Sequence, residues 1–292
     1  MPATTSGQQL LLPNANRSPN SRNQLSVLIE VTSRDRNYLQ QLSSNPIKFQ
    51  FARPLKDVRS VELISGTIPA YPYNVISGAN SFLIQEGNQE FTISISPGYY
   101  TKQTLLQKIQ TIFSSLGGTN TYTVSLVNDK LSIVRDTGTD SFGLLFFSTS
   151  PPDEIDRSDG GFLKQNTLAL QLGFDLSDYW DTAGTLTSPY PVDPQSSINR
   201  LYLYINMQNS TDLGAIERGA GRRSPFAIIY LDEDKNGYKY LNKDTLSPMF
   251  FSLPQPLSRL QTLTIDFRDE WYRPVNFDGK DFSLLFEFVM LE

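Results

Sequence analysis

The sequence predicts an all-β protein, a single jelly-roll β-sandwich of about eight core antiparallel strands with one amphipathic helix near 101–116 and long loop insertions. Three observations predict this class. Apolar and polar residues alternate in about ten short runs, which is the period of a half-buried strand. Gly, Pro, Asn and Asp separate the runs. Only one long segment has the apolar spacing of an α-helix.

The chain begins with a polar segment. Residues 1–24 are rich in Ser, Asn, Gln and Pro and contain Arg17 and Arg22 but no acidic residue. Such a composition buries too little apolar area to offset the entropy lost on ordering, so we expect a flexible N-terminal arm. The longest early apolar run, Leu10–Leu12, is too short for a signal peptide or a membrane span. Because residues 1–24 are assigned to this arm, the predicted domain runs over 25–292.

The predicted strands combine β-branched and aromatic residues with period-two alternation. They are residues 25–31, 47–51, 57–68, 91–96, 121–127, 130–136, 199–207, 225–232, 260–267 and 281–291. Asn128 and Asp129 separate two of these strands and predict a hairpin turn.

One helix is predicted over 101–116, where six apolar residues share one face: Leu105, Leu106, Ile109, Ile112, Phe113 and Leu116. Thr101 is the expected N-cap, and Gly117–Gly118 is the expected end. A strand ends at Pro97–Gly98 just before this helix, but no Gly-rich phosphate-binding motif surrounds the turn. We therefore interpret it as a corner between a strand and a packed helix.

Residues 149–198 interrupt the strand pattern with acidic, Pro-rich and Ser/Thr-rich sequence. We predict a loop insertion there, with a weak helical segment at 164–173. One β-sandwich accounts for the number of strands, since two jelly rolls would need more.

Composition narrows the possible functions. The chain has 292 residues, a formal net charge of −5, and neither His nor Cys. A net negative charge creates no overall positive potential that would attract nucleic acid. Without His or Cys the chain lacks the usual general base, the thiolate nucleophile and the sulfur ligands of zinc. We predict that the protein is not an enzyme and has no catalytic, cofactor-binding or metal-binding residues.

One segment resembles half of a calcium-binding loop. Asp232, Asp234 and Asn236 have the correct oxygen spacing, but Lys243 stands where the loop needs a bidentate acid. A hairpin turn and a weak Ca²⁺ site both remain possible interpretations.

Other polar clusters in the sequence are expected to lie in solvent-exposed loops. Arg218, Arg222 and Arg223 lie in a Gly-rich segment that could bind a phosphate or an acidic neighbour. The carboxylate pairs Asp153/Glu154 and Asp232/Glu233 could in principle act as a glycosidase pair. Both pairs occur in turn-like sequence, which favours a structural role.

Aromatic residues suggest contact surfaces. Tyr202 and Tyr204 alternate with Leu201, Leu203 and Ile205, so the two tyrosines lie on the opposite face of the strand. That face is either an amphipathic outer surface of the sheet, suited to protein contacts, or a face covered by the chain's own loops. A lectin-like jelly roll would instead stack sugars on ring side chains in loops, with Tyr179, Trp180, Trp271 and Tyr272 as candidates.

An ordered series of segments carries a resemblance to a known family. The segments are residues 53–86, 95–110, 122–134, 172–174, 200–207 and 256–288. The series resembles the single jelly-roll capsid proteins of large icosahedral double-stranded DNA viruses of the nucleocytoplasmic type, first their penton proteins and next their minor capsid proteins. Phe282 departs from the family, which often has a histidine after the aspartate of the G-x-D turn.

The resemblance implies a structural virion protein with no reaction and no cofactor, assembled in the host cytoplasm. Its implied partners are copies of itself in a homopentamer at the five-fold vertices, and neighbouring major and minor capsid proteins. A minor capsid protein that cements capsomers is the alternative. The resemblance implies no direct nucleic-acid contact and no membrane span, although an internal viral membrane lies nearby in such particles. The arm 1–24 is expected beneath the shell, and the 149–198 insertion on outer loops or at the rim.

Overall fold

The computed structural model describes residues 10–12, 24–36, 45–70, 72–146, 167–175, 177–196, 199–207, 211–212, 224–231, 237–242, 249–269 and 272–291. Within them lie sixteen strands and one α-helix: β1 Leu10–Leu12, β2 Gln24–Thr32, β3 Ile47–Pro69, β4 Ser81–Glu86, β5 Gln89–Ser94, α1 Lys102–Phe113, β6 Thr121–Val127, β7 Lys130–Thr137, β8 Phe142–Leu145, β9 Tyr179–Trp180, β10 Thr185–Pro191, β11 Arg200–Met207, β12 Thr211–Asp212, β13 Ala227–Tyr230, β14 Tyr238–Asn242, β15 Phe250–Arg268 and β16 Ser283–Leu291. Every strand pairing is antiparallel. The all-β class is thus confirmed, and it is consistent with a jelly-roll sandwich.

The chain divides into two compact units. Unit 1 comprises residues 1–71 and 200–292, and unit 2 comprises residues 72–199. The sequence instead predicts one domain over 25–292 with a loop insertion at 149–198. The difference arises because β4–β10 pair with one another and enclose their own core, whereas alternation along a strand does not identify its partner. The description of 25–292 as one jelly-roll domain stays a prediction.

Unit 1 contains one nine-stranded sheet in the order β1-β2-β16-β3-β15-β11-β12, with β13 added to β11 and β14 to β3. Part of the predicted arm belongs to it, since Leu10–Leu12 pairs with Ser26–Leu28 of β2. The long strands β3 and β15 run antiparallel with two register shifts. Pro254 and Pro256 lie in the first shift, where the missing N–H groups interrupt the ladder.

One face of β16 contributes to the core of unit 1. On β16 the buried side chains Leu284, Phe286 and Phe288 alternate with side chains that reach solvent, as the sequence predicts. Phe282 is also buried, and its ring packs edge-on against Phe267 with centroids 5.0 Å apart. Fully burying an aromatic side chain contributes roughly 1.5–3 kcal/mol. Phe282 therefore serves as a core residue where the resembling family often has histidine.

Unit 2 contains the sheets β10-β7-β6 and β5-β4-β8-β9 and the helix α1. Asn128 and Asp129 form the predicted hairpin turn, and both adopt positive φ angles (52° and 64°). Of the predicted insertion at 149–198, residues 149–166, 176 and 197–198 lie outside the described residues. The predicted helix at 164–173 is reduced to a 3₁₀ turn at Leu170–Leu172.

The helix α1 is capped as the sequence predicts. The Thr101 side chain accepts a hydrogen bond from the Thr104 N–H (3.2 Å), and the Thr104 hydroxyl accepts one from the Thr101 N–H (2.9 Å). This reciprocal pair is a capping box. The helix ends at Phe113, before the predicted Gly117–Gly118 stop. Its buried face consists of Leu105, Ile109 and Phe113.

The helix also covers an edge of a sheet. Gln110 accepts a hydrogen bond from the Val124 N–H (2.5 Å) and donates one to the Tyr122 carbonyl (3.1 Å). One amide side chain thereby satisfies backbone groups of β6, the last strand of its sheet. The preceding corner is held by backbone hydrogen bonds between Val75 and Gly98.

Candidate interaction surfaces

The solvent-facing side of the unit 1 sheet forms three lateral rows of side chains. Residues opposite one another in an antiparallel sheet point to the same face, so the strand register defines each row. We call these twelve residues the outer face: Tyr240, Thr67, Ser283 and Thr32 in the first row, Asn242, Ser65, Leu285 and Glu30 in the second, and Phe250, Glu62, Glu287 and Leu28 in the third.

Large rings stand at one edge of the outer face. Tyr240 is 58% exposed and Phe250 is 49% exposed. Exposed aromatic side chains at the margin of a polar surface are typical of protein contacts, where tyrosine and phenylalanine are enriched. The outer face is therefore suited to bind another protein surface.

A cavity of about 460 Å³ adjoins the first row. Tyr238 and Tyr240 line one part of it, and Glu30, Arg34 and Asp281 contribute charges of both signs. The cavity therefore has a mixed polar and aromatic lining.

An ion-pair network at the rim of the cavity connects the segment after β2 with the segment before β16. The Asp281 carboxylate accepts hydrogen bonds from the Ser33 hydroxyl (2.7 Å) and from the buried Arg36 guanidinium (2.5 Å). Arg34 lies 3.5 Å from the second carboxylate oxygen. Burial would by itself raise the pKa of Asp281, but the hydrogen bonds from Ser33 and Arg36 and the charges of both arginines hold that pKa below its ordinary value.

This network predicts an acid-sensitive contribution to stability. Because the pKa of Asp281 is lower in the folded protein, its ionised form stabilises the fold above the ordinary carboxyl pKa of about 4. The contribution is lost as the pH falls through the folded-state pKa. We expect Asp281→Asn to lower the free energy of unfolding by roughly 2 kcal/mol at neutral pH and by much less near pH 3.

Urea unfolding measured across this pH range tests the expectation. Asp129→Asn is the matched control, because Asp129 pairs with Lys102 at 2.9 Å but its side chain is 69% exposed. An exposed pair of this kind contributes about 0–1 kcal/mol. A deficit in Asp281→Asn that stays constant with pH would contradict this explanation.

Unit 2 exposes aromatic rings of its own. Trp180 is 51% exposed on β9, and its ring lies against Gly143, where an added Cβ would approach a ring carbon to 2.7 Å. Tyr190 is 54% exposed on β10. Of the predicted sugar-stacking set, Trp180 is exposed, Tyr179 is half-buried and Tyr272 is buried, while Trp271 lies outside the described residues.

The suggested tyrosine surface on β11 is absent. Tyr202 is 3% exposed and Tyr204 is 8% exposed, so the alternative in which the chain covers this face is correct. The ring of Tyr204 packs edge-on against Tyr272, with centroids 5.3 Å apart. The Arg268 guanidinium lies 4.7 Å from the centroid of the Tyr272 ring.

Several candidates from the sequence lie outside the described residues. They are Asp153, Glu154, Arg218, Arg222, Arg223, Asp232, Glu233, Asp234, Asn236 and Lys243. Their roles stay predictions. In the described parts of the chain, no three Asp or Glu side chains gather into a metal-binding cluster, and no helix is long and apolar enough to cross a membrane.

Sequence reasoning missed the outer face. Tyr238 and Tyr240 alternate with Lys239 and Leu241, so a short strand with its rings on one side could have been identified. Phe250 gave no such signal, because its exposure depends on the pairing with Glu62 of β3.

Comparison with known proteins gives only distant structural similarity. No protein-family model matches the sequence, and no curated protein matches it. A crystal structure of a selenomethionine-labelled mavirus penton protein aligns with 91% of this chain and 99% of its own, at 9% sequence identity and a TM-score of 0.41. No functional conclusion rests on a similarity this weak.

Proposed function

We propose that the protein is a structural capsid protein that assembles with copies of itself, as a penton homopentamer at the five-fold vertices of an icosahedral shell. The outer face, with Tyr240 and Phe250 exposed at its edge, is the observation that supports self-association. The resemblance of the ordered segments to single jelly-roll capsid proteins supports the capsid role, and the segment over 256–288 corresponds to most of β15 and β16. The proposal assigns no reaction and no cofactor to the chain.

The geometry of a five-fold ring specifies the kind of contact. In a cyclic pentamer each subunit uses two different surfaces, so the contact is heterologous and closes by rotation. We propose that the outer face of one subunit binds a different surface of the next. The arm 1–24 would lie beneath the shell and bind neighbouring capsid proteins, and the virion would be the site of function.

A double substitution on the outer face tests the proposal. We expect Tyr240→Lys/Phe250→Lys to convert a pentamer into monomers in sedimentation velocity experiments, because two lysines would place desolvated charges in the contact. The loss of one aromatic hot spot weakens association by about 2 kcal/mol, or roughly 30-fold. The thermal unfolding midpoint of the monomer should change little, because both side chains are half-exposed.

Tyr190→Lys is the matched control. Tyr190 is nearly as exposed as Tyr240, but it belongs to unit 2 and is not one of the twelve outer-face residues. We expect this variant to sediment as the wild type does. A wild-type protein that remains monomeric favours the minor capsid alternative, and a pentamer that tolerates the double substitution rules out the outer face as the contact.

A further inference from the structure

The first two strands of unit 1 are joined by a connection much longer than their pairing requires. Leu10–Leu12 (β1) pairs antiparallel with Ser26–Leu28 of β2, at one end of the sheet. Residues 13–23, eleven in all, separate the two strands in the sequence. Antiparallel neighbours are usually joined by about 2–5 residues. The pairing between β1 and β2 therefore does not depend on a tight turn between them.

The sequence of this connection is that of a linker. Residues 13–23 contain no Val, Leu, Ile, Met, Phe, Tyr or Trp, so they offer little apolar area to bury. Fully extended, eleven residues span about 36–40 Å. A folded unit of the size of unit 1 has an expected radius of gyration of only about 15 Å. Strand β1 can therefore reach β2 of an adjacent copy as well as β2 of its own chain.

The acceptor strand belongs to the surface proposed to contact another subunit. Strand β2 provides Leu28, Glu30 and Thr32 to the outer face, and Leu28 is also the register partner of Leu10. On its other side β2 pairs with β16 from Gln24 to Thr32. The edge that β1 occupies is thus the edge at which a second chain can add a strand, and it is continuous with the outer face.

The charges of the arm and of the outer face are complementary. Among its twelve residues the outer face has three carboxylates, those of Glu30, Glu62 and Glu287, and no Lys or Arg. Residues 1–24 contain two arginines and no acidic residue. Opposite charges speed the encounter of two surfaces and favour the correct partner. The arm of a second copy is therefore attracted to the face beside its acceptor strand.

We propose that β1 is exchanged between subunits, so that Leu10–Leu12 of one copy pairs with Ser26–Leu28 of the next. This inference rests on the self-association proposed above and specifies the contact that the arm makes. Exchange preserves the register of the pairing, and the exchange of an identical element is a low-cost route to association. Each subunit gives one strand and receives one, which is a heterologous contact that closes in a ring.

A disulfide between β1 and β2 tests the proposal. Leu12 and Ser26 lie opposite each other, and Cα atoms of opposite residues in antiparallel strands are about 4.5–5.5 Å apart, a separation that a disulfide bridges. Because the chain has no Cys, Leu12→Cys/Ser26→Cys introduces only this pair. After oxidation of the assembled full-length protein, we expect covalently linked chains on a non-reducing gel and an unchanged native mass. Co-expressed single variants should form the same bond between chains, whereas single variants assembled separately and mixed just before oxidation should not.

Ser26→Cys/Val289→Cys is the matched control. Ser26 also lies opposite Val289 of β16, a strand that pairs with both β2 and β3. We expect the disulfide of this control to close within one chain. The proposal is overturned if Leu12→Cys/Ser26→Cys also closes within one chain, or if it forms no disulfide under conditions that oxidise the control. Either result with a pentameric wild type removes strand exchange alone, whereas a monomeric wild type removes the proposed function.

Two truncations measure what the exchanged strand contributes. Removal of residues 1–12 takes away β1 and should weaken the assembly at least about 10-fold in dilution experiments, because a linked second contact raises the overall affinity. Removal of residues 1–9 leaves Leu10–Leu12 in place and should have little effect. Equal losses in the two truncated proteins would contradict the role given to β1.

Discussion

Phe267→Ala is expected to lower the free energy of unfolding by about 4 kcal/mol. Phe267 of β15 is fully buried, and its ring packs edge-on against Phe277 (5.3 Å) and Phe282 (5.0 Å). Truncation removes these contacts and leaves a cavity that the sheet cannot close. Since a domain is stable by only about 5–15 kcal/mol, this loss is a large part of the total.

Urea unfolding followed by tyrosine and tryptophan fluorescence measures the loss. Phe250→Ala is the control, because it removes the same side chain from the same strand where the ring is half-exposed. We expect the control to cost less than about 1 kcal/mol. Similar midpoints for the two variants would mean that the ring cluster at Phe267 is not the core of unit 1.

Asn45→Ala is the second substitution with a large expected effect, a loss of about 3 kcal/mol. The Asn45 side chain is 3% exposed. It accepts the Phe267 N–H (2.8 Å) and donates to the carbonyls of Phe267 (2.8 Å) and Val275 (2.9 Å). One amide therefore joins the start of β3 to the end of β15 and to the segment before β16, and alanine would leave buried backbone groups without this partner.

Asn276→Ala provides the comparison, and urea unfolding again measures the change. Asn276 is exposed and accepts one hydrogen bond, from the Asp278 N–H at 2.9 Å. Its replacement should cost less than about 1 kcal/mol, because water can replace an exposed partner. A loss in Asn45→Ala no larger than in Asn276→Ala would contradict the role given to Asn45.

Local features were predictable from the sequence because they depend on neighbours in the chain. The Thr101 N-cap follows from a threonine before an amphipathic run, and the Asn128–Asp129 hairpin from two residues that tolerate positive φ. The buried residues of β2 and β16 follow from alternation alone.

Features that depend on strand pairing were not predictable in this way. Tyr202 and Tyr204 alternate as solvent-facing residues would, yet both faces of β11 are covered. The division into two units likewise depends on which strands pair. β3 and β11 belong to one sheet, whereas the described strands that lie between them in the sequence pair with one another.

The calcium-loop pattern shows where a local motif is not enough. Asp232, Asp234 and Asn236 have the spacing of such a loop, but Lys243 stands at its twelfth position. These residues lie outside the part of the chain that the structure describes, so their role stays a prediction.

Native mass spectrometry of the purified full-length protein tests the central claim most directly. If the chain assembles through its outer face into a vertex ring, the dominant species should have five times the mass of one chain, and Tyr240→Lys/Phe250→Lys should release single chains. A wild-type spectrum with only single chains at micromolar concentration would contradict the claim.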